Sequence, residues 1–275
     1  MTRKDLAQYI TAQLQKHQER LASQYAQTKS GIGYFVLDDL LPESLVLEVY
    51  KAFPVEGETV IRKKNFREFK HVAYQMDAYE NLLEELIYAF QEPAVVQCIG
   101  AICEKLDCLP DQYLYAGGLS VMKEGNYLHP HLDNSHDKDR NRWRVFNLLY
   151  YVSPDWALEN GGNLELWPAG VQGDPITLVS RFNRLVVMAT HDTSWHSVSK
   201  VAVRAPRCCV SNYYFSEVPI HASDRFHITT FRARPGATGL DFLMRLDNGL
   251  RNGLRSLFKK GVRENPHQYK RDQED

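Results

Sequence analysis

From about residue 113 the hydrophobic pattern of this chain changes to a period of two. "YLYAGGLSVM", "WRVFNLLYYV", "GNLELWP", "ITLVS", "RLVVMAT", "SVSKVAV" and "CCVSNYYFS" are short runs rich in Val, Leu, Tyr and Phe, broken by turn-forming residues. A parallel sheet needs a crossover helix between strands, and no helical spacing separates these runs. The pattern therefore predicts a sandwich or a closed jelly roll. Helical spacing is confined to the flanks. Residues 2 to 29 carry Leu6, Tyr9, Ile10, Leu14 and Leu21 on one side of an amphipathic helix, an extension over 1–30. "GYFVLDDLLPESLVLEVYKAF" (33 to 53) reads as a strand, a turn at Pro42 and a helix with Leu45, Val49 and Phe53 on one side. Residues 80 to 106 are helical with an interruption near Pro93, and 239 to 259 return to helical spacing through six leucines. The expected class is mainly β with flanking helices (α+β): one domain over 31–217, with helical support at 40–110 and the β core at 113–217. A C-terminal helical extension over 218–275 is expected to pack on it.

Bulk properties narrow the function classes. A hydrophobic content of 44% in 275 residues is enough for a substantial core, and a net charge of -1 gives no global push toward nucleic acid. Residues 225 to 275 hold an excess of about five positive charges, which a solvated surface explains as well as a partner does. The first twenty residues are charged without an apolar stretch, and no run approaches eighteen apolar residues. The expectation is a cytoplasmic protein with no membrane partner. Five cysteines without C-x-x-C spacing argue against a zinc ribbon or a disulfide framework.

The chemistry concentrates in "YLHPHLDNSHD" (127 to 137). Ten histidines and seventeen aspartates in 275 positions produce about 0.6 H-x-D triplets by chance, so the triplet needs company. Residues i and i+2 of a strand share a face, so His131 and Asp133 can present an imidazole and a carboxylate to one metal. "SWHSVSKV" supplies His196 in another β run. Two imidazoles and one carboxylate form the facial set that suits non-haem Fe(II) and leave positions open for co-substrate and dioxygen. In "RCCVSNYYF", alternation aims Arg207, Cys209 and Ser211 at one face, where a guanidinium could hold a carboxylate by two parallel hydrogen bonds.

The ordered blocks H-x-D, "LLYYVSPDW", "GGNLELWP", "RFNRLVVMAT", the distal His and "RCCVSNYYF" resemble the Fe(II)- and 2-oxoglutarate-dependent dioxygenases of the prolyl-4-hydroxylase-like branch, the hypoxia-sensing prolyl hydroxylases in particular. The resemblance covers roughly 113 to 217. It implies a double-stranded β-helix (jelly-roll) core, iron at His131, Asp133 and His196, and 2-oxoglutarate held by Arg207 with Tyr151 and Ser211 beside it. It further implies O2 as oxidant, with ascorbate compatible as an accessory reductant, and release of succinate and CO2. Because a small residue replaces the aspartate in the related halogenases, Asp133 points to hydroxylation or desaturation. Tyr127 stands four residues before His131 rather than three, so a tyrosine role there does not transfer.

The remaining residues have plainer readings. Pro130 disturbs pleating beside His129, which reads as a substrate contact or a solvated loop residue. Asn147, on the face of Tyr151, is a candidate to support the site or touch substrate. His136 and His191 read as loop residues, Gly161 and Gly162 as a tight turn, and Trp195 as structural. "RKKNFREFK" (62 to 70) mixes charge with aromatics in a way that could contact a polyanion, but reads better as a solvated segment or a mobile substrate lid. The function expected is oxidation of a C–H bond in a small-molecule, carbohydrate-linked or prolyl/peptidyl substrate. A non-catalytic jelly-roll binding module and a zinc hydrolase are the competing readings; oligomeric state stays open.

Overall fold

Helix α1 (Arg3–Lys16) begins with a reciprocal cap: Asp5 N–H donates to the Thr2 hydroxyl and Thr2 N–H donates to the Asp5 carboxylate at 2.8 Å. Leu6, Ile10 and Leu14, one helical turn apart, are fully buried. The single helix expected over 2–29 is broken at His17, and a second helix, α2 (Gln18–Thr28), brings Leu21 and Tyr25 into the same core. Tyr9, expected on the apolar side, is exposed. The computed structural model describes residues 1–57, 59–257 and 269.

Strand β1 (Tyr34–Asp38) leads to α3 (Glu43–Ala52), which buries Leu45 and Val49 as the spacing predicts. Helix α4 (Asn81–Ala89) is followed by α5 (Pro93–Ile102). Pro93 opens α5 rather than breaking a longer helix, because a first-turn residue has no amide partner to lose. Between α3 and α4 lies a hairpin, β2 (Ile61–Lys64) and β3 (Glu68–Ala73), where a solvated segment or lid was expected.

The β core comprises β4 (Leu109–Pro110), β5 (Gly118–Met122), β6 (Tyr127–Leu132), β7 (Trp143–Tyr151), β8 (Leu164–Leu166), β9 (Ile176–Leu178), β10 (Arg184–Ala189), β11 (His196–Val198), β12 (Arg207–Ser216) and β13 (Thr230–Phe231). Pairing is antiparallel in the order β1-β10-β7-β12-β5-β3-β6-β11-β8-β9, with β2 on β3, β4 on β12 and β13 on β6. The sheet curls into a jelly-roll half-barrel. Alternation along β7 shows its two faces: Phe146, Leu148 and Tyr150 pack into the helical core, while Asn147 and Leu149 line an internal cavity. Strand β3 sits between β5 and β6 and joins the two walls of that cavity.

Strand β6 runs through Pro130. Its ladder with β11 pairs His131 with His196 but Leu128 with Val198, so an irregularity falls where proline lacks an N–H. On the other edge β13 pairs Phe231 with His131, and Arg232 N–H donates to the Pro130 carbonyl at 2.8 Å. Part of the C-terminal region expected to be helical is thus strand. Helix α6 (Thr238–Leu257) follows, attached through buried Met244 and through Asn248, which exchanges two hydrogen bonds with the Phe231 backbone. Leu243, Leu246, Leu250 and Leu254 are exposed. Leu257 and the tail to 275, apart from Tyr269, lie outside the residues whose side chains are described.

Because Leu14 is fully enclosed by α1, α4 and α5 in the main core, Leu14→Ala should lower the unfolding free energy by about 2–5 kcal/mol. Urea denaturation of the whole chain measures this. A change near zero would show that the N-terminal helices are energetically separate.

Candidate active site

His131 and His196 are direct register partners on β6 and β11, which brings their rings to 4.1 Å between centroids. Asp133, just past the end of β6, reaches both: its carboxylate oxygens lie 3.7 Å from His131 Nε2 and 3.7 Å from His196 Nε2. The three ligand atoms fall within 4.8 Å of one another. Each imidazole has its other nitrogen occupied. His131 Nδ1–H donates to the His129 carbonyl and His196 Nδ1–H to the Ser194 carbonyl, both at 3.0 Å. That choice of tautomer leaves both Nε2 lone pairs facing the carboxylate, as metal-binding histidines require. Phe231 stacks on His131 with centroids 5.3 Å apart, closing one side.

Electrostatics favours a neutral imidazole beside an ionised carboxylate. Burial, reinforced by His196, lowers His131 to about 3. Burial opposes ionisation of Asp133, but His196, Arg144, His131 and Lys70 outweigh it and hold its pKa below the ordinary value. The His131–Asp133 contact is therefore not an ion pair at neutral pH. Two imidazole Nε2 atoms and a carboxylate converge on one point, a donor set for a divalent cation. Asn147 Nδ2 donates to the Asp133 carboxylate at 3.1 Å, while Asn147 Oδ1 is buried without a partner. The supporting role expected of Asn147 has this contact as its basis.

Behind the triad, Arg207, Cys209 and Ser211 of β12 line the cavity on one strand face. Arg207 is 3% exposed, forms no ion pair among the described residues, and has a 3.4 Å contact from Nε to Ser180 Oγ. Its guanidinium lies 4.8 Å from the centre of the Tyr151 ring. The Tyr151 hydroxyl is buried without a hydrogen-bond partner, and burial raises it to about 12. A buried, uncompensated guanidinium beside an unsatisfied hydroxyl is costly unless an anion joins them, so the residues present fit a carboxylate-bearing co-substrate. Gly162, at φ 63°, packs against Arg207: a Cβ there would stand 3.0 Å from Val201 Cγ2 and 3.5 Å from Arg207 Cγ.

Other histidines are engaged elsewhere. His129 is half-buried on β6 with Nδ1 unpartnered, outside the triad. His136 is buried in an isolated bridge to Trp143. His191, Asp192 and Asp224 form a second close cluster. There His191 Nε2–H donates to the Ile32 carbonyl, Nδ1 accepts from Thr193, and Asp224 accepts from the backbone N–H groups of Asp192 and His221. These bonds tie a loop together and account for the cluster.

Sequence reasoning missed Arg144. Alternation along β7 places it with Phe146 on the core face, yet Phe215 of β12 pairs with Arg144 and Tyr214 with Phe146, leaving Val145 as an extra residue. This bulge turns Arg144 into the cavity, 3.7 Å from the centre of the Tyr213 ring. Nothing in "WRVFNLLYYV" signals the bulge. Lys63, Glu68 and Lys70 also reach the cavity, by way of the unexpected hairpin.

The family model of the 2OG-Fe(II) oxygenase superfamily matches residues 117–215, a span that contains every residue of the triad and Arg207. Residues 117–215, the larger part of the β core, are thus similar to the 2OG-Fe(II) oxygenases. Solved structures share its fold. A prolyl hydroxylase from Trichoplax adhaerens, in complex with a hypoxia inducible factor peptide fragment, is 20% identical with a TM-score of 0.53 and covers 74% of this chain and 93% of its own. A prolyl-4-hydroxylase from Pseudomonas putida is 17% identical with a TM-score of 0.52, covering 70% and 97%. The epimerase SnoN, in complex with Fe3+, alpha ketoglutarate and nogalamycin RO, is 17% identical with a TM-score of 0.51, covering 82% and 90%. No curated protein matches the chain. Oxygenases of this superfamily use Fe(II), 2-oxoglutarate and O2. No described helix is long and apolar enough to cross a membrane.

The depressed His131 and Asp133 pKa values make a pH prediction for the metal-free protein. Both groups bind protons more readily in the unfolded chain, so stability is full above the unfolded histidine value near 6.5 and falls as pH drops toward the folded value of about 3. Urea midpoints measured from pH 7 to pH 4 should decline, and His131→Gln should flatten the slope. Equal slopes in the two proteins would contradict a neutral, buried His131.

Proposed function

We propose that His131, Asp133 and His196 hold Fe(II), and that Arg207, assisted by Tyr151 and Ser211, holds the far carboxylate of 2-oxoglutarate. The observation that carries this reading is the convergence of two imidazole Nε2 atoms and one ionised carboxylate in the same cavity as a buried guanidinium with no acidic partner among the described residues. The chain is read as a single oxygenase domain, with the segments before 31 and from 218 to 257 packed on it.

When bound, ferrous iron with 2-oxoglutarate and dioxygen supplies a two-electron oxidation of a C–H bond, coupled to decarboxylation of 2-oxoglutarate to succinate and CO2. The protein's own groups supply position and dryness. Backbone carbonyls of His129 and Ser194 fix the imidazole orientations, and Asn147 Nδ2 restrains Asp133 by holding one of its oxygens. Arg207 offers two parallel N–H donors to a carboxylate, with the Tyr151 hydroxyl placed to donate beside it. Leu149, Leu164 and Val198 give the cavity an apolar lining that keeps water from competing with substrate. Its volume of about 540 Å³ suits a small molecule, a carbohydrate-linked group, or one side chain of a peptide with its flanks.

Succinate release in the presence of Fe(II), 2-oxoglutarate and ascorbate tests the reading. Losing a bidentate, buried contact costs about 3–5 kcal/mol, so Arg207→Ala should raise the 2-oxoglutarate requirement by at least tenfold. His131→Ala should abolish release. An unchanged 2-oxoglutarate affinity in Arg207→Ala would refute the clamp, and turnover with Zn(II) under nitrogen would favour a hydrolase instead.

A further inference from the structure

Helix α6 turns its apolar side away from the protein. Phe242, Leu243, Leu246, Leu250 and Leu254 recur at spacings of three and four residues, which puts them on one side of the helix. All five are more than half exposed, Leu250 at 71%. The inward side is mostly polar. Asp241 accepts from Arg232, Asp247 from Arg67, and Asn248 from the Phe231 N–H, while Leu240 and Met244 supply the apolar contacts to the body. A surface helix ordinarily buries its apolar stripe in the core on which it lies. Here the stripe faces outward, and five large side chains in one patch exceed what scattered surface leucines explain.

The tip of the β2–β3 hairpin extends this patch. Phe66 is exposed, and its ring centre lies 4.6 Å from the Arg67 guanidinium, which is bonded to Asp247 of α6. Arg62 and Lys64, on one face of β2, are exposed and form no ion pair among the described residues. Arg245, at the edge of the apolar side, has a side chain that is 61% exposed. Each carboxylate of α6 is shared between two arginines: Asp241 between Arg232 and Arg245, Asp247 between Arg67 and Arg251. The apolar patch therefore has a border of net positive charge.

That border selects what can cover the patch. Residues 258–268, "FKKGVRENPHQ", hold too few apolar groups to cover five leucines and phenylalanines. A second copy of the chain would set basic border against basic border. An anionic bilayer meets both features at once: acyl chains take up the apolar side chains, and headgroups of opposite sign face the cations. We propose that α6 and the hairpin tip dock this protein on an anionic phospholipid surface. The helix lies in the plane of the bilayer rather than across it, with Phe66, Phe242, Leu243, Leu246, Leu250 and Leu254 entering the headgroup boundary. Leu254 also lines the cavity, so docking brings the lipid surface beside the cavity opening.

Co-sedimentation of the full chain with vesicles tests this, using phosphatidylcholine alone and an equal mixture of phosphatidylcholine and phosphatidylserine. Partition onto the anionic vesicles should be about tenfold or more stronger than onto the neutral ones, and should weaken as salt is raised. Each cation near an anionic surface is worth about fivefold in partition, so Arg62→Gln combined with Lys64→Gln should lower it by about tenfold or more. Leu246→Gln combined with Leu250→Gln should lower it at least as far, with an unchanged melting temperature because both side chains already face solvent. No sedimentation, equal partition onto the two vesicles, or undiminished partition of the double leucine variant would overturn the proposal. A lipid-free dimer in sedimentation velocity that the double leucine variant converts to monomer would overturn it in favour of a second copy of the chain.

Discussion

The pairing of His131 with His196 across β6 and β11 is the constraint on which the rest of the site depends. A strand alternates faces at every residue, so a one-residue slip would turn one imidazole out of the barrel and leave Asp133 with a single partner. The register is held from both edges of β6. On one side β11 accepts the irregularity at Pro130; on the other, β13 lays Phe231 over His131 and is itself clamped by Asn248 of α6. A site assembled from residues 65 positions apart thus owes its geometry partly to a helix more than a hundred residues beyond its first histidine.

Burial then sets the chemistry of the donors. In water, a histidine of ordinary pKa would be partly protonated near neutrality and would repel a cation. Enclosed beside a second imidazole, His131 stays neutral, while Asp133 stays ionised because several cationic or potentially cationic neighbours outweigh its desolvation. The same enclosure leaves Arg207, the Tyr151 hydroxyl and Asn147 Oδ1 short of partners within the chain. Unsatisfied groups of this kind are expensive in a folded core, and Arg207 and Asn147 line the same cavity, as expected of a site built for ligands.

Part of the cavity wall comes from segments outside the matched residues 117–215. Strand β3 of the β2–β3 hairpin lies between β5 and β6, bringing Glu68 and Lys70 to the cavity that His131, Asp133 and His196 also line, and Arg67 ties that hairpin to Asp247 of α6 with a 3.0 Å contact from Nε. The barrel carries the His131–Asp133–His196 cluster, whereas this hairpin and helix add charged side chains to the space in front of it. Relatives of the same fold differ widely in what they hold, from a peptide fragment to nogalamycin RO.

Much of the architecture was legible in the residues themselves. The period of two beyond 113, without intervening helical spacing, leaves few ways to bury alternate side chains, and an antiparallel jelly roll is among them. H-x-D on one strand face, a distant histidine and Arg207 with Ser211 in phase likewise follow from alternation. Four features did not, and each depends on contacts between segments far apart in sequence. The break at His17 follows from packing α1 and α2 around a shared core; β3 forms because β5 and β6 leave a gap that only an extended segment fills. Arg144 enters the cavity through a bulge that the β7–β12 ladder creates, and Phe231 reaches His131 because β13 pairs with β6. Local sequence determines which face a side chain takes along a regular strand. Only the tertiary structure decides where a strand departs from regularity and which distant strand lies beside it, because those choices minimise unpaired backbone and empty volume over the whole barrel.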